Sequence, residues 1–169
     1  GIKYEDRLDL AVVASNMDCS AAGVFTRNAI RSAPVLLSEE RVASGRARAV
    51  VVNAGCANAC TGARGLEDAR TMSRLAAERL EIPVEMILVA GTGVIGTFLS
   101  MDRIEQGMKS LALSRDGGPL FARAIMTTDT RTKEVAASVD DGQGRYTIAA
   151  AAKGSGMKLI LVALGAMVI

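Results

Sequence analysis

Gly91-Thr-Gly-Val-Ile-Gly96 sets a hydroxyl and closely spaced backbone N–H groups directly after the apolar run at residues 86–90. Glycines after a buried strand predict a turn where backbone can approach a ligand, because no side chain stands in the way. Acyl transfer builds negative charge on a carbonyl oxygen, and two fixed donors stabilise it by a few kcal/mol. The Thr92 hydroxyl and the Gly93 N–H are adjacent donors of that kind, and a plain structural turn is the competing reading. Gly91, Gly93 and Gly96 also satisfy the G-x-G-x-x-G spacing of dinucleotide-binding loops. That alternative requires a helix starting at residues 93–96 and an acid about twenty positions on, near Asp116.

Three further segments carry polar chemistry: Asn53-Ala-Gly-Cys-Ala-Asn-Ala-Cys-Thr-Gly62, Met126-Thr-Thr-Asp-Thr130 and Ala152-Lys-Gly-Ser-Gly-Met157. Thr127, Thr128 and Thr130 cluster hydroxyls around Asp129, which fits either a substrate contact or a local side-chain-to-backbone turn. Lys153, closing an alanine-rich run, suits a substrate carboxylate or a solvated strand end. Ser155 has no histidine to activate it and is not read as a nucleophile.

Of the 169 residues, none is histidine. A Ser–His or Cys–His pair therefore cannot be completed within this chain, nor can a histidine-ligated metal site. Any general base must be Lys, Asp, Glu, a terminal amine or a group from another chain. Cys19, Cys56 and Cys60 form no disulfide framework, which fits a reducing cytoplasm. Cys56 and Cys60 read as small buried residues rather than metal ligands. A formal charge of +2 with scattered Lys and Arg gives no basic stripe for nucleic acid. The charged opening Gly-Ile-Lys-Tyr-Glu-Asp-Arg lacks the apolar core of a secretion signal.

The elements that must position these groups follow from pattern. Half the residues are apolar, with few aromatics, so the core is built from Ala, Val, Leu, Ile and Met. Residues 9–14, 22–26, 48–53 and 86–90 predict strands, and 35–37, just after Pro34, an edge strand. Residues 66–80 predict the clearest helix, with Leu66, Ala69, Met72, Ala76 and Leu80 on one stripe. Ser100 predicts the N-cap of a second helix with Ile104, Met108 and Leu111 inward, and residues 120–126 predict a third. Residues 134–151 predict a β-hairpin around Asp141-Gly-Gln-Gly144. The sum is an α/β (α+β) layered fold, a mixed sheet with packed helices. The apolar end, residues 158–169, is too short to span a bilayer and must be covered by this fold or a partner.

The ordered segments Gly1-Ile-Lys3, Ala21-Ala-Gly-Val-Phe-Thr26, Val51-Val-Asn53, Gly65-Leu-Glu-Asp-Ala69, Thr92-Gly-Val-Ile-Gly96, Ala124-Ile-Met-Thr-Thr-Asp-Thr130 and Ala152-Lys-Gly-Ser-Gly-Met157 carry a resemblance. Together they resemble the α chain of the ornithine acetyltransferase family, the bifunctional glutamate N-acetyltransferases of arginine biosynthesis, over residues 1–157. The resemblance implies a self-processing layered fold and a single α-chain domain over 1–169. It also implies a separate β chain whose N-terminal threonine is the nucleophile, usually in an α2β2 assembly, in the cytoplasm. Acetyl would move from N-acetylornithine to that threonine and then to glutamate, without a cofactor, with acetyl-CoA as an alternative donor. By the same resemblance Thr92 and Gly93 are the oxyanion-hole donors, and Thr127 and Lys153 contact substrate. Two departures stand out. Cys56 replaces a common Asn, and Leu164 stands where the family has its cleavage-site threonine, giving residues 158–169 the character of an atypical tail. No threonine follows Lys153. The alternatives are a nucleotide-binding domain built on Gly91, Gly93 and Gly96, or a non-catalytic subunit.

Overall fold

The computed structural model describes residues 2–3, 5–154 and 159–165, the last of these as backbone only. Element order is β1 (Leu10–Ser20), α1 (Ala33–Val42), β2 (Arg46–Cys56), α2 (Gly62–Leu80), a 3-10 turn (Val84–Met86), β3 (Ile87–Val94), α3 (Met101–Ser110), α4 (Gly118–Ala124), β4 (Lys133–Asp140), β5 (Arg145–Lys153) and β6 (Leu159–Gly165). Strands β1-β2-β3 form one sheet and β4-β5-β6 a second.

The first sheet is mixed: β1 and β2 run antiparallel, β2 and β3 parallel. Strand β2 is central and carries the uninterrupted Val50-Val-Val52, as expected of a strand buried on both faces. Parallel pairing of β2 with β3 needs a crossover, which α2 supplies. Its stripe is as the 3.6-residue period requires: Ala69, Met72 and Ala76 are buried, with Leu66 and Leu80 packed at the margin. The helix ends at Glu81 in the left-handed region, followed by Pro83.

Alternation along the strands divides the core in two. Val51, Ile87 and Val89 face one side, packed with Leu37 of α1, Met72 of α2 and Ile104 of α3. Val50, Val52 and Ala90 face the other, packed with Phe121, Ala124 and Ile125 at α4 and with Ala151 of β5. The first sheet is thus a middle layer between helices and a second layer made by α4 and the second sheet.

Several expectations change. Residues 35–37 lie in helix α1, not in an edge strand, and Pro34 occupies the first helical turn, where its missing N–H costs nothing. Strand β3 is one of the two edges of the first sheet, and α1 covers it. Ser38 Oγ accepts the Val89 N–H at 2.9 Å and donates to the Val89 carbonyl at 2.7 Å, while Arg41 donates to the Ile87 carbonyl at 2.6 Å. Residues 22–26 form no regular element. Leu111 is the half-buried residue that follows α3 rather than part of its inner face, and Ser100 caps that helix without a side-chain hydrogen bond. The hairpin forms as β4 and β5, with Asp140 opposite Arg145. Residues 159–165 of the apolar end add β6 antiparallel to β5. Ser155, Gly156 and Met157 lie outside the described residues, as do 166–169.

Candidate active site

Strand β3 continues through the glycines to Val94, so Gly91-Thr-Gly is strand, not turn. What distorts is its neighbour. Cys56 on β2 pairs with both Thr92 and Val94, a bulge that ends regular pairing next to the site. Gly93 has φ +131, and a Cβ there would lie 2.3 Å from the Gly55 carbonyl carbon. Only glycine fits both that backbone angle and that approach.

The two-residue period then decides where Thr92 points. Ala90 packs toward α4 and β5, so Thr92, two residues on, shares that face. Along β5, Ala151 packs into the same layer, so Lys153 also faces it. The side chains meet. The Lys153 ammonium donates to the Thr92 hydroxyl and, at 2.9 Å, to the Thr127 hydroxyl. Lys153 is only 9 % exposed, and burial holds its ammonium below the usual lysine range; Asp129 opposes that shift and Lys133 adds to it.

Asp129 organises the base of the cluster. One oxygen accepts the Thr127 N–H at 3.3 Å, and the other accepts the Gly154 N–H at 2.7 Å and the Lys133 ammonium. Its side chain has no exposed surface. Burial alone pushes this carboxyl up, but the Lys133 hydrogen bond and the Gly154 and Thr127 N–H groups outweigh it and bring the pKa to about 2. Arg7 reaches over from the N-terminal segment and donates to the carbonyls of Met126 and, at 3.2 Å, Thr127.

Thus Thr92, Thr127 and Lys153 converge from β3, the loop after α4 and the end of β5, and Gly93 adjoins them. The sequence pattern assigns Asp129 only to a local turn, whereas it joins two separate segments. Arg7 carries no sequence signal at all, being one arginine in a charged opening. Because each threonine oxygen accepts from Lys153, each hydroxyl proton is left to point elsewhere. A buried cation beside two such donors suits a carboxylate or a carbonyl oxygen gaining charge.

The nucleotide-binding pattern fails on geometry. Gly91 and Gly93 lie within β3, and the next helix begins at Met101, five residues after Gly96. No helix N-terminus is therefore presented at the glycines. Cys56 is buried, as expected, and its thiol lies 3.0 Å from the Thr97 carbonyl, but Cys60 is exposed. Among the described residues no group of three or more Cys, Asp or Glu could hold a metal ion. No helix there is long and apolar enough to cross a membrane.

Comparison with known proteins agrees with this architecture. The ArgJ family model matches residues 1–168. The arginine biosynthesis bifunctional protein ArgJ of Symbiobacterium thermophilum is 52 % identical over 151 residues, which is 88 % of this chain and 38 % of that protein. The ArgJ of Geobacter sulfurreducens is 50 % identical over 158 residues, 92 % of this chain and 40 % of that protein. This chain therefore spans about two fifths of the length of these curated relatives. The crystal structure of ArgJ from Bacillus halodurans superposes with TM-score 0.86 at 40 % identity, over 95 % of this chain and 85 % of that one. Ornithine acetyltransferase from Mycobacterium tuberculosis, solved with ornithine, gives TM-score 0.86 at 39 % identity, over 96 % and 88 %.

Proposed function

This chain belongs to the ArgJ family, and on that premise we propose that it is the oxyanion-stabilising and substrate-holding part of an acetyltransferase of arginine biosynthesis. The acetyl donor is N-acetylornithine and the acceptor glutamate; acetyl-CoA is a second donor to be tested. The convergence of the Lys153 ammonium on the Thr92 and Thr127 hydroxyls carries the reading. The binding of ornithine by the Mycobacterium tuberculosis relative supports the substrate class.

In this reading the threonine at the N-terminus of a companion β chain attacks the acetyl carbonyl, and its own amine takes the hydroxyl proton. The Thr92 hydroxyl and the Gly93 N–H receive the oxygen that becomes negative. Polarisation of Thr92 by Lys153 strengthens its donation. Collapse of the tetrahedral species expels ornithine, protonated by the same terminal amine, and leaves acetyl-threonine. Glutamate nitrogen then attacks that ester, and its proton passes through the same terminal amine to the threonine oxygen as the acyl C–O bond breaks. N-acetylglutamate leaves with the hydroxyl restored. Lys153 and Thr127 hold the substrate while these steps occur, and the unit pairs as α2β2 in the cytoplasm.

The test is to assemble the chain with a β chain beginning at threonine and follow isotope exchange between labelled ornithine and N-acetylornithine. Exchange without glutamate supports the ping-pong reading. Normal assembly with no exchange marks a non-catalytic subunit and overturns it.

A further inference from the structure

The two residues assigned to substrate contact, Thr127 and Lys153, lie 26 positions apart on either side of the β4–β5 hairpin, whose pairing stops at Lys133 opposite Ala152, six residues after Thr127. One follows α4 and the other ends β5. A hydroxyl and an ammonium at strand and helix ends keep a fixed separation only if something holds both backbones. Their own 2.9 Å hydrogen bond is a contact that a substrate would compete for. The backbone N–H of Thr127 and that of Gly154, the residue after Lys153, both end on one carboxylate.

We infer that Asp129 is a positioning residue of this site, whose two oxygens tie the Thr127 segment to the end of β5 and so set the spacing of the Thr127 hydroxyl and the Lys153 ammonium. It touches no substrate itself. Lys133 on β4 donates to the same carboxylate oxygen that accepts the Gly154 N–H. The charged groups acting on Lys153 are then Asp129, which favours its protonated form, and Lys133, which disfavours it. Arg7 holds the Thr127 carbonyl, so Thr127 is fixed through both its N–H and its carbonyl. Asparagine in place of Asp129 keeps the shape but turns one acceptor into a donor, which must face an N–H or an ammonium. Glutamate keeps the charge but moves both oxygens by a methylene.

The inference rests on the acetyl-transfer reading only for what Thr127 and Lys153 hold. Asp129→Asn and Asp129→Glu are made in the full chain, assembled with the β chain, with only this chain carrying ε-carbon-labelled lysine. The pH titration of Lys153 is read by NMR, beside kcat and KM for N-acetylornithine. Asp129→Asn lowers the Lys153 titration midpoint and raises KM about tenfold or more, with a smaller change in kcat. Asp129→Glu leaves the midpoint near that of the parent, yet still raises KM, because charge without placement does not restore spacing. An unchanged midpoint in Asp129→Asn, or a parental KM in Asp129→Glu, overturns the inference. Should Asp129→Asn fail to fold, Asp129→Glu decides through KM alone. Absence of acetyl exchange in the parent protein would sink the functional reading while leaving the Lys153 titration to judge Asp129.

Discussion

Lys153, at the end of β5, donates a hydrogen bond to the Thr92 hydroxyl on β3, 61 positions earlier in the chain. This bond joins the two sheets at the point where β3 leaves its regular pairing. It brings the residue that would bind substrate into contact with the one that would stabilise the transition state. In the proposed reaction, binding and catalysis would be coupled through one side chain.

Thr92→Ala removes one of the two proposed oxyanion donors. We expect kcat in the assembled enzyme to fall on the order of a hundredfold, with little change in thermal stability. Steady-state kinetics beside a melting curve check it. A parental kcat would remove Thr92 from the oxyanion hole.

Lys153→Met should give up the proposed substrate contact without loss of stability. The folded chain holds this ammonium below its ordinary range, chiefly through burial, so the charged form costs stability below the folded pKa. That cost is relieved as pH rises from the folded pKa toward the ordinary lysine value. At pH 7 the variant should therefore melt no lower than the parent while losing substrate saturation. A clearly lower melting temperature contradicts the account.

Asp129 makes the fold sensitive to acid. Its carboxyl titrates at about 2 when folded, against 3.8 as the ordinary value. Its contribution is complete above the ordinary value and is lost as pH falls from there through about 2. The shift corresponds to at most about 2 kcal/mol. Denaturant unfolding between pH 5 and pH 2, compared in the parent and Asp129→Asn, should show a shallower acid loss in the variant, with parallel curves refuting the assignment.

Gly93→Ala meets two obstacles, a φ of +131 and the Gly55 carbonyl carbon 2.3 Å from the added Cβ. Neither obstacle is the end of a flexible side chain. The cost should be roughly 3 kcal/mol or more, seen as loss of soluble, cooperatively melting protein. Parental stability would mean that β2 and β3 approach less closely than described.

Met72→Ala empties a fully buried position between α2 and the first sheet. A loss of about 2–5 kcal/mol is expected in denaturant melts, with the site geometry unchanged. A loss below that range would show that the helical layer collapses to fill the space.

Much of this was legible in the residues. The Val run of β2 and the apolar stripe of α2 are local patterns, and each imposes its element because burial rewards the matching period. The segments holding Thr92, Thr127 and Lys153 were likewise visible, each open to a structural reading alone but together in an order that resembles the ornithine acetyltransferase family. Tertiary structure decided what those patterns meet. Residues 35–37 are β-prone by themselves, yet they lie in a helix whose Ser38 and Arg41 satisfy the open edge of β3. Gly91 and Gly93 resemble a turn, yet they extend a strand because the β2 bulge accepts them at close range. Asp129 resembles a turn residue until the end of β5 arrives beside it. Periodicity fixes which face of a strand a side chain occupies. Only the packing of one layer on another fixes which side chain it faces, because that depends on contacts between residues far apart in sequence.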